Sequence, residues 1–140
     1  MRESGNLTQW PDTYPSVEII TKDIGMGYSH ALCSGNGVIQ GTFAFIPGPD
    51  PTYSEIYDGQ WPDDDDYFVI HRIAASGNSG GGAARECFRW AFGVSGTVRI
   101  DTHKDNVIMK HILEKHGFVR CGIIHLPDGS PREAYIGKRR

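Results

Sequence analysis

Three side chains in this 140-residue sequence stand out as candidates to accept a proton: His71, Asp101 and His103. In "TVRIDTH" the two-residue period of a strand puts Arg99, Asp101 and His103 on one face and Ile100 and Thr102 on the other. The apolar set should face the helices that follow, leaving Asp101 and His103 on the opposite face. His71, on a neighbouring strand, is the third candidate base. Each also has a structural reading. Asp101 can pair with Arg72 or Arg99, His71 can be a hydrogen-bonded core histidine, and His103 can cap the loop before the next helix. A second kind of chemistry is offered by "SGNSGGGAA", residues 76–84, a glycine run between strand formers and an apparent helix. The first turn of a helix has unpaired N–H groups and the positive end of the dipole, and glycines let a bulky anion approach them. A phosphate or pyrophosphate suits such a cradle, and a plain flexible connector is the alternative. No Gly-Lys-Ser/Thr follows, so this is not a P-loop, and no G-x-G-x-x-G frame reads well through it.

The remaining reactive residues suggest less. His111 and His116 are five apart on a helix, which is not the one-face spacing of a zinc pair, and no metal site is expected. Cys33, Cys87 and Cys121 are far apart and odd in number, with neither zinc spacing nor a disulfide framework, so a cytoplasmic setting is expected. Cys121 alternates with apolar neighbours and reads as packing. Trp10, Tyr14, Tyr53, Tyr57 and Trp61 gather in the N-terminal third and a long irregular segment, and Tyr53 and Trp61 are the candidates for substrate binding. The run "DDDD" at residues 63–66 is either a solvated loop or an attractor for a cationic acceptor. Tyr135 offers a phenol on the last strand.

Composition frames these groups. A length of 140 residues suits one domain, residues 1–140, with a modest core, and 39% hydrophobic and 22% charged residues are those of an ordinary globular protein. A net charge of −3 argues against a nucleic-acid surface, and no apolar run is long enough to span a bilayer, so neither nucleic acid nor membrane is an expected partner. No apolar core follows the first basic residue, so no signal peptide is read there.

The elements that must position the candidates follow from periodicity. "PSVEIITKDI" reads as a short helix capped by Ser16, with Ile20 and Ile24 on one face. "YSHALCS" and "VIQGTFAFI" read as strands joined by "GNG". A long polar stretch rich in proline and glycine precedes "YFVIHRIAA", a buried strand. "GGAARECFRWAF" has helical spacing, with Ala84, Cys87, Phe88 and Ala91 on one face. "TVRIDTH" is a strand. "NVIMKHILEKHGF" is a helix with Ile108, Ile112 and Leu113 apolar and Gly117 as its left-handed stop. A hairpin, "FVRCGIIHL" to "REAYI", closes the chain. The strand–helix–strand unit should be parallel and right-handed, with its crevice at the carboxyl ends of the strands.

From about residue 12 to residue 135 the chain resembles the GNAT superfamily, the acetyl-CoA-dependent N-acetyltransferases. The stretches that carry the resemblance are "HRIAASGNSGGGAA", "RIDTHKDNVIMKHILEKHGF" and "CGIIHLPDGSPREAY". The most specific positions are Asn106, Met109, Leu113 and Gly117-Phe118. The superfamily's pyrophosphate motif, Gln/Arg-x-x-Gly-x-Gly/Ala, falls on residues 78–83, with Asn78 in the Gln/Arg place. The resemblance implies an α/β (α+β) acyl-CoA N-acyltransferase fold, a mixed central sheet flanked by helices. "MRESGNLTQWPDTYPS" resembles the end of the superfamily's first helix, so the first strand and most of that helix are expected to be missing. The resemblance also implies that Ile73, Ala74 and Ala75 run beside the pantetheine arm of acetyl-CoA. Backbone amides from Ser79 through Gly80, Gly81, Gly82 and Ala83 to Ala84 would take the pyrophosphate, and Asn106 would lie beside the arm. Many members carry a tyrosine four residues before the position of Gly117 to protonate the leaving thiolate; Leu113 stands there.

The implied function is transfer of the acetyl group of acetyl-CoA, by direct attack, to an unidentified primary amine on a small molecule or a peptide. The alternative is a non-catalytic acyl-CoA-binding or sensing domain on the same fold, and a nucleotide-binding module is a third reading resting on the glycine run alone. A homodimer is left open.

Overall fold

The computed structural model describes residues 27–33, 39–75 and 82–139. The expected helix at "PSVEIITKDI", the "GNG" turn, residues Ser79, Gly80 and Gly81, and the question of a missing first strand all lie outside the described residues. Within them six strands form one sheet in the order β1-β2-β3-β4-β6-β5. The strands are β1 (Ser29–Cys33), β2 (Ile39–Pro47), β3 (Phe68–Ala75), β4 (Thr97–Thr102), β5 (Val119–His125) and β6 (Pro131–Lys138). Helix α1 (Gly82–Val94) links β3 to β4, and α2 (Val107–Lys115) links β4 to β5. Every neighbouring pair is antiparallel except β3–β4, as the strand–helix–strand reading requires.

Both helices pack on one face of the sheet. Ala84, Cys87, Phe88 and Ala91, spaced three and four apart, are all buried, and they share a core with Phe43, Phe45, Ile70, Val98, Ile100 and Tyr135. On α2 the phase differs by one residue from the sequence expectation. Met109 and Leu113, an i, i+4 pair, face the core and Ile112 is partly buried, whereas Ile108 is 68% exposed. A helix advances 100° per residue, so Ile108 sits about 140° around from Leu113 and cannot share its stripe. Gly117 ends the helix at φ 86°, and Phe118 N–H donates to the Leu113 carbonyl at 3.0 Å.

The opposite face is covered by the segment 48–67, which contains one 3₁₀ turn, Pro51–Tyr53. Tyr53, Val69, Ile124 and Ala134 are buried beneath it, with Ile56, Trp61, Tyr67 and Leu126 packed around them. The segment also reaches the outer strand. Tyr57 and Ile123 exchange two backbone hydrogen bonds, of 2.8 and 2.7 Å. The approach is so close that a Cβ on Gly122 would sit 2.5 Å from the Tyr57 carbonyl oxygen, and one on Gly59 would meet the Cys121 carbonyl.

The sheet parts at its centre. The β3–β4 register runs Phe68–Val98, Val69–Arg99 and Ile70–Ile100; beyond it β3 continues along β2 and β4 along β6. At the same level β3 carries a bulge. Between the pairs Ala44–His71 and Thr42–Ala74 it holds two residues against one, and Arg72 takes a left-handed φ of 53°. The extra residue resets the alternation, so that Ile73, and not Arg72, joins the core under the helices.

Candidate active site

His71 is the last residue of β3 before the bulge, and it faces the segment 48–67 rather than the helices. Its Nε2 lies 2.8 Å from Asp50 Oδ2. Asp50 caps the 3₁₀ turn, its Oδ1 accepting from the Thr52 amide at 2.9 Å and the Thr52 hydroxyl at 2.6 Å. Burial by itself would raise the Asp50 carboxyl, but the hydrogen bonds from His71 and Thr52 outweigh it and hold the group down at about 2. Asp50 is therefore a carboxylate at neutral pH, and the shared proton belongs to His71 Nε2. In neutral imidazole that leaves Nδ1 as the basic nitrogen.

Nδ1 stands 3.9 Å from Asp101 Oδ1, too long for a hydrogen bond between them. The same Asp101 oxygen accepts the Tyr53 hydroxyl at 2.6 Å. Burial first, and then the charge of Asp101, push the Tyr53 phenol well above its usual range, so it remains a donor. The result is a line of four groups, Asp50, His71, Asp101 and Tyr53, drawn from a loop, two adjacent strands and a 3₁₀ turn. The side chains of His71, Asp50 and Asp101 keep 19%, 16% and 10% of their surface exposed. The line sits on the level at which β3 and β4 part.

Of the sequence candidates, His71 and Asp101 are thus brought together. His103 lies past the last residue of β4, its Nδ1 accepting from the Asp105 amide at 3.0 Å, so it caps the turn ahead of α2. Asp101 takes Tyr53 and faces His71, while Arg99 turns to the loop. Tyr53 is buried at 2% exposure, and Trp61 is partly exposed, donating its indole N–H to the Tyr53 carbonyl at 2.9 Å. Of the acidic run, Asp63 and Asp65 pair with Lys138 at 2.6 and 3.2 Å. Asp50 was not singled out from the sequence. The Asp-Pro-Thr triplet marks a helical start and so its turn, but nothing local reveals a partner 21 residues away.

Ile73 is buried under the helices, Ala74 is buried too, Ala75 ends β3, and α1 begins at Gly82 with Ala84 buried in its first turn. Asn106 is buried, and its side-chain oxygen accepts from the Met109 amide at 3.1 Å, capping α2. Both helices begin beyond the carboxyl ends of the parallel strands, where the crevice of such units lies. Leu113 is fully buried in the core. Tyr135 shares that core, and its hydroxyl has no hydrogen-bond partner among the described residues.

No model of a protein family matches the chain, and neither does any curated protein. Solved structures do. An acetyltransferase of the GNAT family from Streptococcus agalactiae 2603 is 34% identical over 96% of this chain and 79% of its own, with a TM-score of 0.85. An acetyltransferase candidate from Staphylococcus aureus Mu50 is 25% identical over 99% of this chain and 88% of its own, with a TM-score of 0.69. The fold, at 19% identity, is also that of AAC(6')-Ib, solved in complex with paromomycin and acetyl-CoA, with a TM-score of 0.65 over 95% of this chain and 80% of that one. The mixed sheet and helices of the described residues match the fold of these neighbours, and the chain belongs to the GNAT family of acetyltransferases.

Proposed function

We propose that the protein is an N-acetyltransferase that moves the acetyl group of acetyl-CoA to a primary amine on a small molecule or a peptide. The observation that carries the proposal is the Asp50–His71–Asp101–Tyr53 line at the level where β3 and β4 part. The parting strands and the two helix starts fit a pantetheine arm lying along Ile73–Ala75 and beside Asn106, with the pyrophosphate at the start of α1, on residues 79–84. When bound, acetyl-CoA supplies an activated acyl group.

An amine reaches the site as an ammonium ion, and the Asp101 carboxylate attracts it. His71 Nδ1 takes one proton, and the imidazolium so formed is stabilised by Asp50 on its other nitrogen. Tyr53 keeps the Asp101 carboxylate in place. The freed nitrogen lone pair forms the C–N bond, the nitrogen gives its second proton to solvent, the C–S bond breaks, and the thiolate receives a proton from solvent. Charge developing on the acyl oxygen calls for a donor, most simply a backbone N–H of the parting strands.

The alternative, acyl-CoA binding without catalysis, is favoured by one observation, an apolar buried residue at Leu113. One experiment separates the two. Release of free thiol from acetyl-CoA is followed with a panel of primary amines, and acetyl-CoA binding is measured by calorimetry in competition with adenine nucleotides. Transfer to an amine, lost about 100-fold in His71→Ala with binding kept, is the expected result. Gly81→Val should weaken acetyl-CoA about tenfold by blocking the approach of the pyrophosphate. Binding without transfer to any amine would leave the sensing reading, and binding no tighter than that of adenine nucleotides would defeat both.

A further inference from the structure

Arg99 is an arginine with 4% exposure on the same face of the sheet as Asp101. Its guanidinium lies 4.0 Å from the centre of the Trp61 ring and 4.0 Å from that of Tyr67, and it donates to the Asp63 carbonyl at 3.0 Å. A buried cation needs such partners, and two aromatic faces and a carbonyl supply them, with the charge of the Asp63 carboxylate nearby. The two rings that stack on Arg99 are also the two that hold the loop side of the proposed site. The Tyr67 hydroxyl accepts the Asp50 amide at 2.8 Å, and Asp50 holds His71. The Trp61 indole donates to the Tyr53 carbonyl at 2.9 Å, and Tyr53 holds Asp101. Two arms therefore run from one guanidinium, one through Tyr67 to the base and one through Trp61 to the carboxylate that receives the amine.

We infer that Arg99 is a positioning residue for catalysis, a common anchor that sets the Asp50–His71 pair and the Tyr53–Asp101 pair relative to each other. It touches neither His71 nor the acceptor. The acidic run belongs to the same device, because Asp63 offers its carbonyl to Arg99 and its carboxylate to Lys138. Lysine could not replace Arg99, since a compact ammonium cannot lie flat against two rings at once. The inference rests on the proposed role of His71 and Asp101 as acetyl-transfer machinery.

The test uses the whole chain with Tyr67→Phe, Trp61→Phe, Arg99→Met and Arg99→Lys. Tyr67→Phe keeps the ring and removes the hold on Asp50. Trp61→Phe keeps a ring and removes the hold on Tyr53. The groups facing His71 are the Asp50 and Asp101 carboxylates and the Tyr53 ring, so the NMR titration midpoint of His71 reads the first arm directly. Withdrawing Asp50 deprives the imidazolium of its counter-charge. The midpoint should therefore fall in Tyr67→Phe and Arg99→Met and hold in Trp61→Phe. In turnover, Tyr67→Phe should lower kcat several-fold and move the acid limb of the pH profile down, and Trp61→Phe should mainly raise KM for the amine. Arg99→Met should do both, by about tenfold each, with acetyl-CoA affinity unchanged, and Arg99→Lys should restore only part. Adding Tyr67→Phe to Arg99→Met should cost nothing further, because the arm is already released. Effects that multiply in the double variant, or an unmoved His71 midpoint in folded Arg99→Met or Arg99→Lys, would overturn the inference. If the midpoints move as stated while His71→Ala retains turnover, the anchor stands as a structural fact, and it is the assignment of the base that fails.

Discussion

The two faces of the sheet are held by different physics. Under the helices, fourteen buried residues form one apolar cluster, among the described residues, against four under the segment 48–67. The helix face is stabilised by volume and area, and its contacts tolerate small shifts in direction. The loop face relies on directional contacts: a carboxylate on an imidazole, a phenol on a carboxylate, a guanidinium between rings. Losing packing on the first face should unfold the molecule. Losing a directional contact on the second should leave it folded and dissolve the site.

The sharpest way to test this contrast is to cut each face in turn. Leu113→Ala removes a fully buried side chain at the centre of the helix-face core and should cost about 2–5 kcal/mol of stability, read from the midpoint of urea unfolding. Asp101→Asn on the other face should lower turnover about 100-fold, about 2.7 kcal/mol on the barrier, while leaving that midpoint nearly in place. If Asp101→Asn unfolded the protein, or Leu113→Ala spared it, the division between the faces would be wrong.

A smaller effect comes from pH. Asp50 is held at about 2, below the ordinary aspartate value, because the hydrogen bonds from His71 and Thr52 outweigh burial. A depressed carboxylate contributes stability that is fully present above its unfolded value, near 4, and is lost as pH falls through its folded value. Docking of the loop should therefore weaken between about pH 4 and pH 2. Asp50→Asn should flatten that part of the stability curve, as measured by thermal unfolding across pH. Equal slopes in both proteins would show that Asp50 does not secure the loop.

The smallest effect should have the opposite sign. The Tyr135 hydroxyl is buried without a hydrogen-bond partner among the described residues, which burial penalises by about 1–3 kcal/mol relative to an apolar replacement. Tyr135→Phe should raise the unfolding midpoint modestly. A fall would mean that the phenol has a partner in solution, and would blur the description of this face as purely apolar.

The same contrast explains what the sequence made legible. Helix α1 and the strands could be read because their apolar residues repeat with the period of the element, and the core obeys that period. On α2 the reading slipped by one position, since Ile108 and Met109 are equally apolar and only packing chooses between them. The bulge in β3 has no marker, because the residue with left-handed φ is Arg72 rather than a glycine. Asp101 and His71 were found as chemical types, but their partners Asp50 and Tyr53 come from a segment with no period at all. The sequence offers Arg99, alongside Arg72, only as a possible partner for Asp101, because alternation gives a face and not a neighbour. Its two rings enter from positions 61 and 67, which only the folded path of the loop brings to either arm.

That path has a consequence for the protein's behaviour in solution. By exchanging two backbone hydrogen bonds with Ile123, Tyr57 occupies part of the outer edge of β5, and the bare backbones of Gly59 and Gly122 are what let it come so close. A strand edge with unpaired amides and carbonyls is a template for another chain, and here the loop acts as its cover. Weakening the loop, whether at Arg99, at either glycine or by acid, therefore uncovers an adhesive strip as well as silencing a site. Samples of such variants should cloud or form oligomers at concentrations where the parent protein stays clear.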